Sequence, residues 1–131
     1  MLICGSGAIG ALSLLCARAL GVYRVVATDI ADSRLKTIKE LGADYTVNVA
    51  GKSPKEAAEA IRQATGGVEP DVVLECTGFP MSIETAIWAV KPAGTVAVVG
   101  MGADRGELPI MAATQKEVTI MPSLKYLSKP E

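Results

Sequence analysis

Three glycines near the start of the chain have the spacing of a phosphate-binding turn. Gly5, Gly7 and Gly10 form the pattern G-x-G-x-x-G, which follows a short apolar stretch, Leu2–Cys4, and opens a long apolar helical segment. The first glycine of such a turn allows a tight bend, the second lets a pyrophosphate approach the backbone, and the third lets the helix pack against the strand. The pattern predicts a dinucleotide pyrophosphate site at the helix N-terminus, with a purely structural turn as the alternative.

An acidic residue stands at a suitable distance from this turn. Asp29 ends the second predicted strand, 29 − 10 = 19 residues beyond Gly10, and dinucleotide sites place an acid about 20 residues on to accept hydrogen bonds from ribose hydroxyls. A carboxylate there repels the 2′-phosphate of NADP, so the sequence favours NAD. Arg34 follows on the next helix and is a candidate for contact with the adenosine side. The alternatives are a solvated aspartate in a turn and an exposed helix charge.

Two further strand ends lead into small residues. Ligands of open α/β sheets lie beyond the carboxyl ends of the strands, so both ends are predicted to border the same crevice as Gly7. Glycines there let the backbone approach a cofactor, although ordinary turn chemistry is the alternative. Cys76 is expected to be buried rather than reactive, because no base stands near it. The candidates at these two ends are Cys76, Thr77, Gly78, Val99, Gly100 and Met101.

The residue inventory argues against several other kinds of chemistry. The chain has no histidine, which removes the usual general base and the commonest zinc ligand. Its three cysteines have no C-x-x-C spacing and are predicted to be reduced thiols of a cytoplasmic protein. With 13 basic and 14 acidic residues and no charged run, nucleic acids and anionic membranes are poor partners. Glycines interrupt the apolar amino terminus, which argues against a signal peptide and a membrane span.

Alternating strands and helices must position these residues. Half of the residues are hydrophobic, and apolar runs suited to buried strands alternate with helical segments. The alternation predicts an α/β fold of the Rossmann type, a doubly wound parallel sheet with right-handed crossovers and helices on both faces. The predicted strands are Leu2–Cys4, Arg24–Thr28, Tyr45–Val49, Asp71–Glu75, Thr95–Val99 and 117–121. The predicted helices are Ala8–Leu20, Asp32–Leu41, Pro54–Thr65 behind a capping box of Ser53 and Glu56, and Pro80–Val90.

The length suits one domain. Residues 1–131 are expected to form a single dinucleotide-binding domain that is truncated at both ends. The first strand has little lead-in, and residues 128–131 have the sequence of a helix cap with no helix after it. The last strand, 117–121, is expected to form an edge of the sheet. Val118 and Ile120 share one of its faces, and an uncovered apolar edge favours pairing with a second copy of the chain.

Five stretches of the sequence resemble a known family. They are residues 4–10 with the glycine turn, residues 27–29, the Leu-Gly-Ala-Asp at 41–44, the Leu-Glu-Cys-Thr-Gly at 74–78, and residues 94–100. Together they make the chain resemble the cofactor domain of the zinc-dependent medium-chain dehydrogenases. The sorbitol and other polyol dehydrogenases are the most similar, with the threonine dehydrogenases next.

The resemblance implies a role for each candidate residue. Ile9 would lie under the pyrophosphate and nicotinamide side, and Asp29 and Arg34 would hold the adenine ribose. The residues implied to line the nicotinamide are Val99, Gly100 and Met101. Segment 123–125 lies where polyol dehydrogenases reach the cofactor again, with an aromatic residue and an arginine. This chain has Leu124 and Lys125 there, and the departure leaves the substrate open.

The predicted function is NAD(H) binding within an oxidoreductase that transfers hydride between a nicotinamide cofactor and an alcohol or polyol. The resemblance implies that a separate domain holds the catalytic zinc with Cys, His and Glu ligands. This chain alone is therefore expected to bind NADH without oxidising alcohols. The sequence leaves two alternatives open. One is a non-enzymatic nucleotide-sensing Rossmann domain, and the other is a methyltransferase that binds S-adenosylmethionine.

Overall fold

The computed structural model describes residues 1–123, in which strands and helices alternate throughout. Each strand is three or four residues long, as short buried strands of α/β proteins often are. The strands are β1 (Leu2–Cys4), β2 (Val26–Asp29), β3 (Tyr45–Asn48), β4 (Val72–Glu75), β5 (Thr95–Val98) and β6 (Thr119–Pro122). The helices are α1 (Ala8–Ala19), α2 (Asp32–Glu40), α3 (Pro54–Ala64), α4 (Pro80–Ala89) and α5 (Ile110–Gln115).

The six strands form one parallel sheet in the order β3-β2-β1-β4-β5-β6. Ile3 in β1 lies opposite Ala27 in β2 on one side and Leu74 in β4 on the other. The chain runs outward from β1 to β3, returns to β4, and then continues to the opposite edge. The order reverses between β1 and β4, and this point defines a ligand crevice in doubly wound sheets. The predicted Rossmann-type fold is confirmed.

Apolar side chains fill both faces of the sheet because successive residues of a strand point to opposite sides. One buried cluster joins Leu2, Val73 and Val96 to helices α3 and α4. A second cluster joins Ile3 and Ala27 to helices α1 and α2. Helices therefore lie on both faces, as the continuous apolar runs of the strands predicted. The sheet is held from both sides, which fixes the positions of its carboxyl ends.

The start of helix α3 forms as the sequence predicted. Ser53 accepts a hydrogen bond from the Glu56 N–H at 3.4 Å, and the Glu56 carboxylate accepts one from the Ser53 N–H at 2.8 Å. Pro54 occupies the first turn, where it lacks only an N–H that has no helical partner. This reciprocal capping satisfies two backbone donors and fixes the start of the helix.

Several predicted boundaries need correction. Helix α5 was not predicted, because six residues are too few to show a helical period. The last strand begins at Thr119 rather than at residue 117, since Glu117 has a positive φ of 54° that no strand residue adopts. Strand β2 includes Asp29 itself. The predicted cap at 128–131 lies outside the described residues.

Within residues 1–123, no helix combines the length and apolar character needed to cross a membrane.

Candidate functional site

The glycine turn joins β1 to α1 in a close-packed arrangement. Gly5 has φ +92°, and a Cβ added there would lie 2.6 Å from Cγ2 of Thr77. A Cβ added at Gly10 would overlap the carbonyl oxygen of Gly5. The first and third glycines are therefore required by the turn itself and by the approach of helix α1 to strand β1.

Gly7 differs from the other two glycines because nothing lies near its absent side chain. No atom of the described chain stands within 4 Å of a Cβ added there. Gly7 is also the N-cap of α1, and it supplies no side-chain acceptor to the first-turn N–H groups. No acidic residue lies in that turn. Open space, the free N–H groups of a helix start and the positive end of a helix dipole together make this turn suitable as a cradle for a phosphate group.

Asp29 lies at the end of β2, and its side chain binds the glycine turn. One carboxylate oxygen accepts a hydrogen bond from the Ser6 N–H at 2.8 Å, and the other accepts one from the Ala31 N–H at 2.9 Å. The residue is only 6% exposed. Because a carboxylate has about four acceptor positions, each oxygen keeps capacity for one more donor. Asp29 therefore braces the turn and can still accept hydrogen bonds from a diol.

Arg34 lies beside Asp29 on the solvent side. Its guanidinium is 3.8 Å from the nearer carboxylate oxygen, and most of the side chain is exposed. Because the guanidinium is solvent-exposed and its separation from the carboxylate is long, this ion pair contributes little to stability. The structure thus brings Asp29 and Arg34 together and leaves the arginine side chain free to adjust to a ligand.

The other side of the crevice consists of the turns that follow β4 and β5. A Cβ added at Gly78 would overlap the backbone of Met101, and one added at Gly100 would overlap the backbone of Thr77 and Gly78. Gly102 packs just as tightly on the Gly78 carbonyl. These turns therefore form one unit. Because Thr77 also touches Gly5, this unit reaches the glycine turn.

Glu75 is a residue of this crevice that the sequence reasoning missed. It ends β4 and is fully buried. Its carboxylate accepts hydrogen bonds from the N–H groups of Thr77 and Gly78, both at 2.9 Å, and from the hydroxyls of Thr77 and Ser82. Its carbonyl oxygen accepts bonds from the N–H groups of Val99 and Gly100 at 2.8 Å each. The signal in the sequence that could have identified Glu75 was an acidic residue at the end of an otherwise apolar strand.

Exposed apolar side chains surround the mouth of the crevice. Ile9 in the first turn of α1, Phe79 at the N-cap of α4, and Met101 all project into solvent, Met101 with 67% of its surface exposed. Sequence reasoning had singled out Ile9 and Met101 but not Phe79. Lys125, the remaining predicted contact, lies outside the described residues.

The cysteines show no arrangement suited to a metal. Burial, together with the smaller effect of the Glu75 carboxylate, raises the pKa of the Cys4 thiol to about 12 and that of the Cys76 thiol to about 11. Both are therefore protonated at neutral pH, and a thiol binds metal as the thiolate. Cys16 is exposed on α1. Among residues 1–123, no three acidic, cysteine or histidine side chains are grouped as metal ligands, so these residues do not fit a zinc ion.

Two surface cavities lie away from the crevice. One, lined by Lys55 and Trp88 among others, lies between α3 and α4, and the Lys55 ammonium stands 4.6 Å from the centre of the Trp88 ring. The other lies at the amino ends of the strands and is lined by Met1, Tyr23 and Pro70 among others. Neither is lined by a residue of the crevice, which is an open groove at the carboxyl ends of the strands.

Comparison with known proteins identifies the family. The model of the family described as zinc-binding dehydrogenase matches residues 8–130. This chain therefore belongs to the zinc-binding dehydrogenase family, and the resemblance found in the sequence is confirmed.

Individual relatives agree with this assignment. The chain is 41% identical over 126 residues to sorbitol dehydrogenase from Mus musculus, covering 96% of this chain and 35% of that protein. It is 45% identical over 128 residues to L-arabinitol 4-dehydrogenase from Hypocrea jecorina, covering 96% of this chain and 34% of that protein.

A solved structure also matches. It is described as a short chain alcohol dehydrogenase from Escherichia coli CFT073 complexed with cofactor NADH. It superposes with a TM-score of 0.79 at 26% identity, over 93% of this chain and 35% of that chain. This chain thus spans about a third of the length of the relatives it matches.

Proposed function

We propose that residues 1–131 are the NAD(H)-binding domain of a zinc-dependent alcohol or polyol dehydrogenase. The observation that carries the proposal is the open, uncapped start of α1 at Gly7, next to a carboxylate at the end of β2. Membership of the dehydrogenase family and a structural relative described as an NADH complex support it. The family assignment gives no support to a nucleotide sensor or a methyltransferase.

The residues of this chain would bind and orient the cofactor. The first-turn N–H groups of α1 would hold the pyrophosphate, and Asp29 with Arg34 would hold the adenine ribose. Ile9 would lie beside the pyrophosphate. The turns after β4 and β5 would receive the nicotinamide, through Cys76, Thr77, Gly78, Val99, Gly100 and Met101. We propose Lys125 as a further contact to the cofactor.

The bound nicotinamide would supply hydride transfer, and this chain's contribution would be to hold the ring in place. The exposed apolar side chains of Ile9, Phe79 and Met101 would keep water from the ring when it is bound. We propose that zinc belongs to residues outside this chain, because no metal-ligand group exists among residues 1–123. The protonated, unpaired thiols of Cys4 and Cys76 suit the cytoplasm, which we propose as its location.

Titration calorimetry of the 131-residue chain tests the cofactor assignment. We expect saturable binding of NADH and no binding of S-adenosylmethionine, because the latter has no pyrophosphate for the N-terminus of α1. Adding NAD+, zinc and sorbitol should produce no rise in absorbance at the wavelength of NADH, because this chain is proposed to hold the cofactor without catalysing hydride transfer. Binding of S-adenosylmethionine in place of NADH would contradict the proposal, and zinc-dependent oxidation of sorbitol would contradict the assignment of catalysis to other residues.

We further propose that two copies of the chain associate through the edge strand β6. The Thr119 N–H donates a hydrogen bond to the Gly94 carbonyl oxygen, in the turn before β5. Because N–H groups alternate in direction along a strand, the Ile120 N–H points away from β5, toward the open edge of the sheet. Pro122 is the next outward position and has no donor. Val118 and Ile120 are half-buried, whereas Met121 is 51% exposed. Pairing would therefore use the short segment before Pro122.

A charge on β6 should block this association. Lysine on an edge strand opposes edge-to-edge pairing, so Met121→Lys should convert a dimer into a monomer. Met111→Lys is the matched control, because Met111 is an exposed methionine on helix α5 rather than on strand β6. Analytical ultracentrifugation over a range of concentrations measures the mass. A monomeric unmodified chain, or equal effects of the two lysines, would rule out pairing through β6.

A further inference from the structure

The crevice contains one buried charge whose role the proposed function does not explain. Glu75 is 0% exposed, and no arginine, lysine or amino terminus of residues 1–123 forms an ion pair with it. Burying a carboxylate without a cation is costly unless hydrogen-bond donors replace the lost water. A fully buried acid at this position therefore indicates that its hydrogen bonds organise something.

The donors to Glu75 come from the two turns of the crevice. The carboxylate binds the turn after β4 through Thr77 and Gly78, and it binds the first turn of α4 through Ser82. The carbonyl oxygen of Glu75 binds the turn after β5 through Val99 and Gly100. One residue thus fixes the backbone of both turns.

Close packing leaves these turns no freedom to move independently. Gly78 touches the backbone of Met101 and Gly102, and Gly100 lies against the N–H of Gly78. A displacement of the Gly78 N–H would therefore pass directly to the segment after β5. The adenosine side of the groove, by contrast, is held by Asp29 through Ser6 and Ala31.

We propose that Glu75 is a positioning residue for the nicotinamide half of the cofactor site. It acts through the backbone of residues 77–78 and 99–101 rather than by touching the cofactor. The inference rests on the proposed function, because it assumes that NADH binds in this groove. It assigns the two halves of the cofactor to separate supports, Glu75 for the nicotinamide and Asp29 for the adenine ribose.

Glu75→Gln perturbs this support at one point. Three donors converge on one carboxylate oxygen, Oε1, and a glutamine carbonyl placed there can still accept from them. The other oxygen accepts only from the Gly78 N–H. The glutamine NH2 would replace that oxygen and put two donors face to face. The substitution therefore displaces Gly78 while keeping most of the network.

Comparing NADH with ADP-ribose separates positioning from general stability. ADP-ribose contains the pyrophosphate and both riboses but no nicotinamide. We expect Glu75→Gln to weaken NADH binding by about tenfold and ADP-ribose binding by less than about twofold. Ser82→Ala removes one hydroxyl donor to Glu75 at a residue outside the proposed cofactor contacts, and it should act in the same direction with a smaller effect. Glu84→Gln, the same charge change on α4, should leave both affinities unchanged.

The outcomes distinguish this inference from the proposed function. If the unmodified chain binds neither NADH nor ADP-ribose, the proposed function fails, and this inference fails with it. If it binds both, but Glu75→Gln weakens both equally or neither, then Glu75 has no positioning role and only this inference is overturned. Should Glu75→Gln fail to fold in a thermal melt, the ratio of NADH affinity to ADP-ribose affinity in Ser82→Ala decides the question. An unchanged ratio in that variant overturns the inference.

Discussion

The unmodified chain is expected to bind NADH about 30-fold more tightly than NADPH, a difference of about 2 kcal/mol. Asp29 can accept charge-assisted hydrogen bonds from ribose hydroxyls, each worth about 1.5–3 kcal/mol when well formed. The 2′-phosphate of NADPH would remove one such bond and place a charge of roughly −2 against a buried carboxylate. Arg34, at 3.8 Å from Asp29, offsets only part of that repulsion.

Substituting Asp29 tests this preference. Asp29→Ser should narrow the difference between the two cofactors, mainly by weakening NADH and also by removing the repulsion. The variant also loses the brace on the Ser6 N–H, so its melting temperature should be recorded. Asp32→Ser is the control, because Asp32 is an exposed acid at the start of the next helix. Calorimetry of all three proteins with both cofactors gives the ratios. Equal affinity of the unmodified chain for NADH and NADPH would refute the role of Asp29.

The two glycines Gly7 and Gly10 should respond in opposite ways to the same added methyl group. Gly10→Ala forces a Cβ into the carbonyl oxygen of Gly5, and such overpacking should lower the free energy of unfolding by about 3 kcal/mol. Gly7→Ala meets nothing within 4 Å, and the φ of −73° suits alanine. Its stability should change by less than about 0.5 kcal/mol. The methyl group would, however, occupy the phosphate cradle and weaken NADH by at least about tenfold.

Urea denaturation and calorimetry on the two alanine variants measure both effects. Each variant is the control for the other, since the substitution is identical and the positions lie on the same turn. NADH binding that survives in Gly7→Ala would mean that the pyrophosphate does not approach this backbone. Full stability of Gly10→Ala would mean that helix α1 can move away from β1 without cost.

The fold was predictable because its signals are local. Apolar runs, glycine stops and the Ser53 capping box are each read within a few neighbouring residues, and they placed the bounds of all six strands to within two residues. Helix α5 was not predicted because it is a single short segment that follows Pro109. The turn at Glu117 has a positive φ but contains no glycine, so the sequence did not predict it.

The candidate site was predictable only in part because its contacts join distant parts of the chain. The glycine spacing and Asp29 follow a known pattern, and the structure brings them together. The hydrogen bond from Ser6 to Asp29 spans 23 residues, and no local pattern predicts it. In the sequence, Glu75 is only the last residue of a strand. Its importance depends on the N–H groups of Thr77 and Gly78, which donate to its carboxylate. It also depends on the N–H groups of Val99 and Gly100, which donate to its carbonyl oxygen.

The strand order has a consequence for the sequence of events in folding. Strand β1 is synthesised first but lies at the centre of the sheet, where Leu2 pairs with Val26 on one side and with Val73 on the other. The β1–β2 contact closes a short loop, whereas the β1–β4 contact must wait for a far longer segment to emerge and collapse. The groove lies at the boundary between β1 and β4, which is the contact that forms later. The glycine turn and Asp29 are therefore synthesised well before the opposite wall of the groove, and the complete groove exists only once the two halves of the sheet have joined.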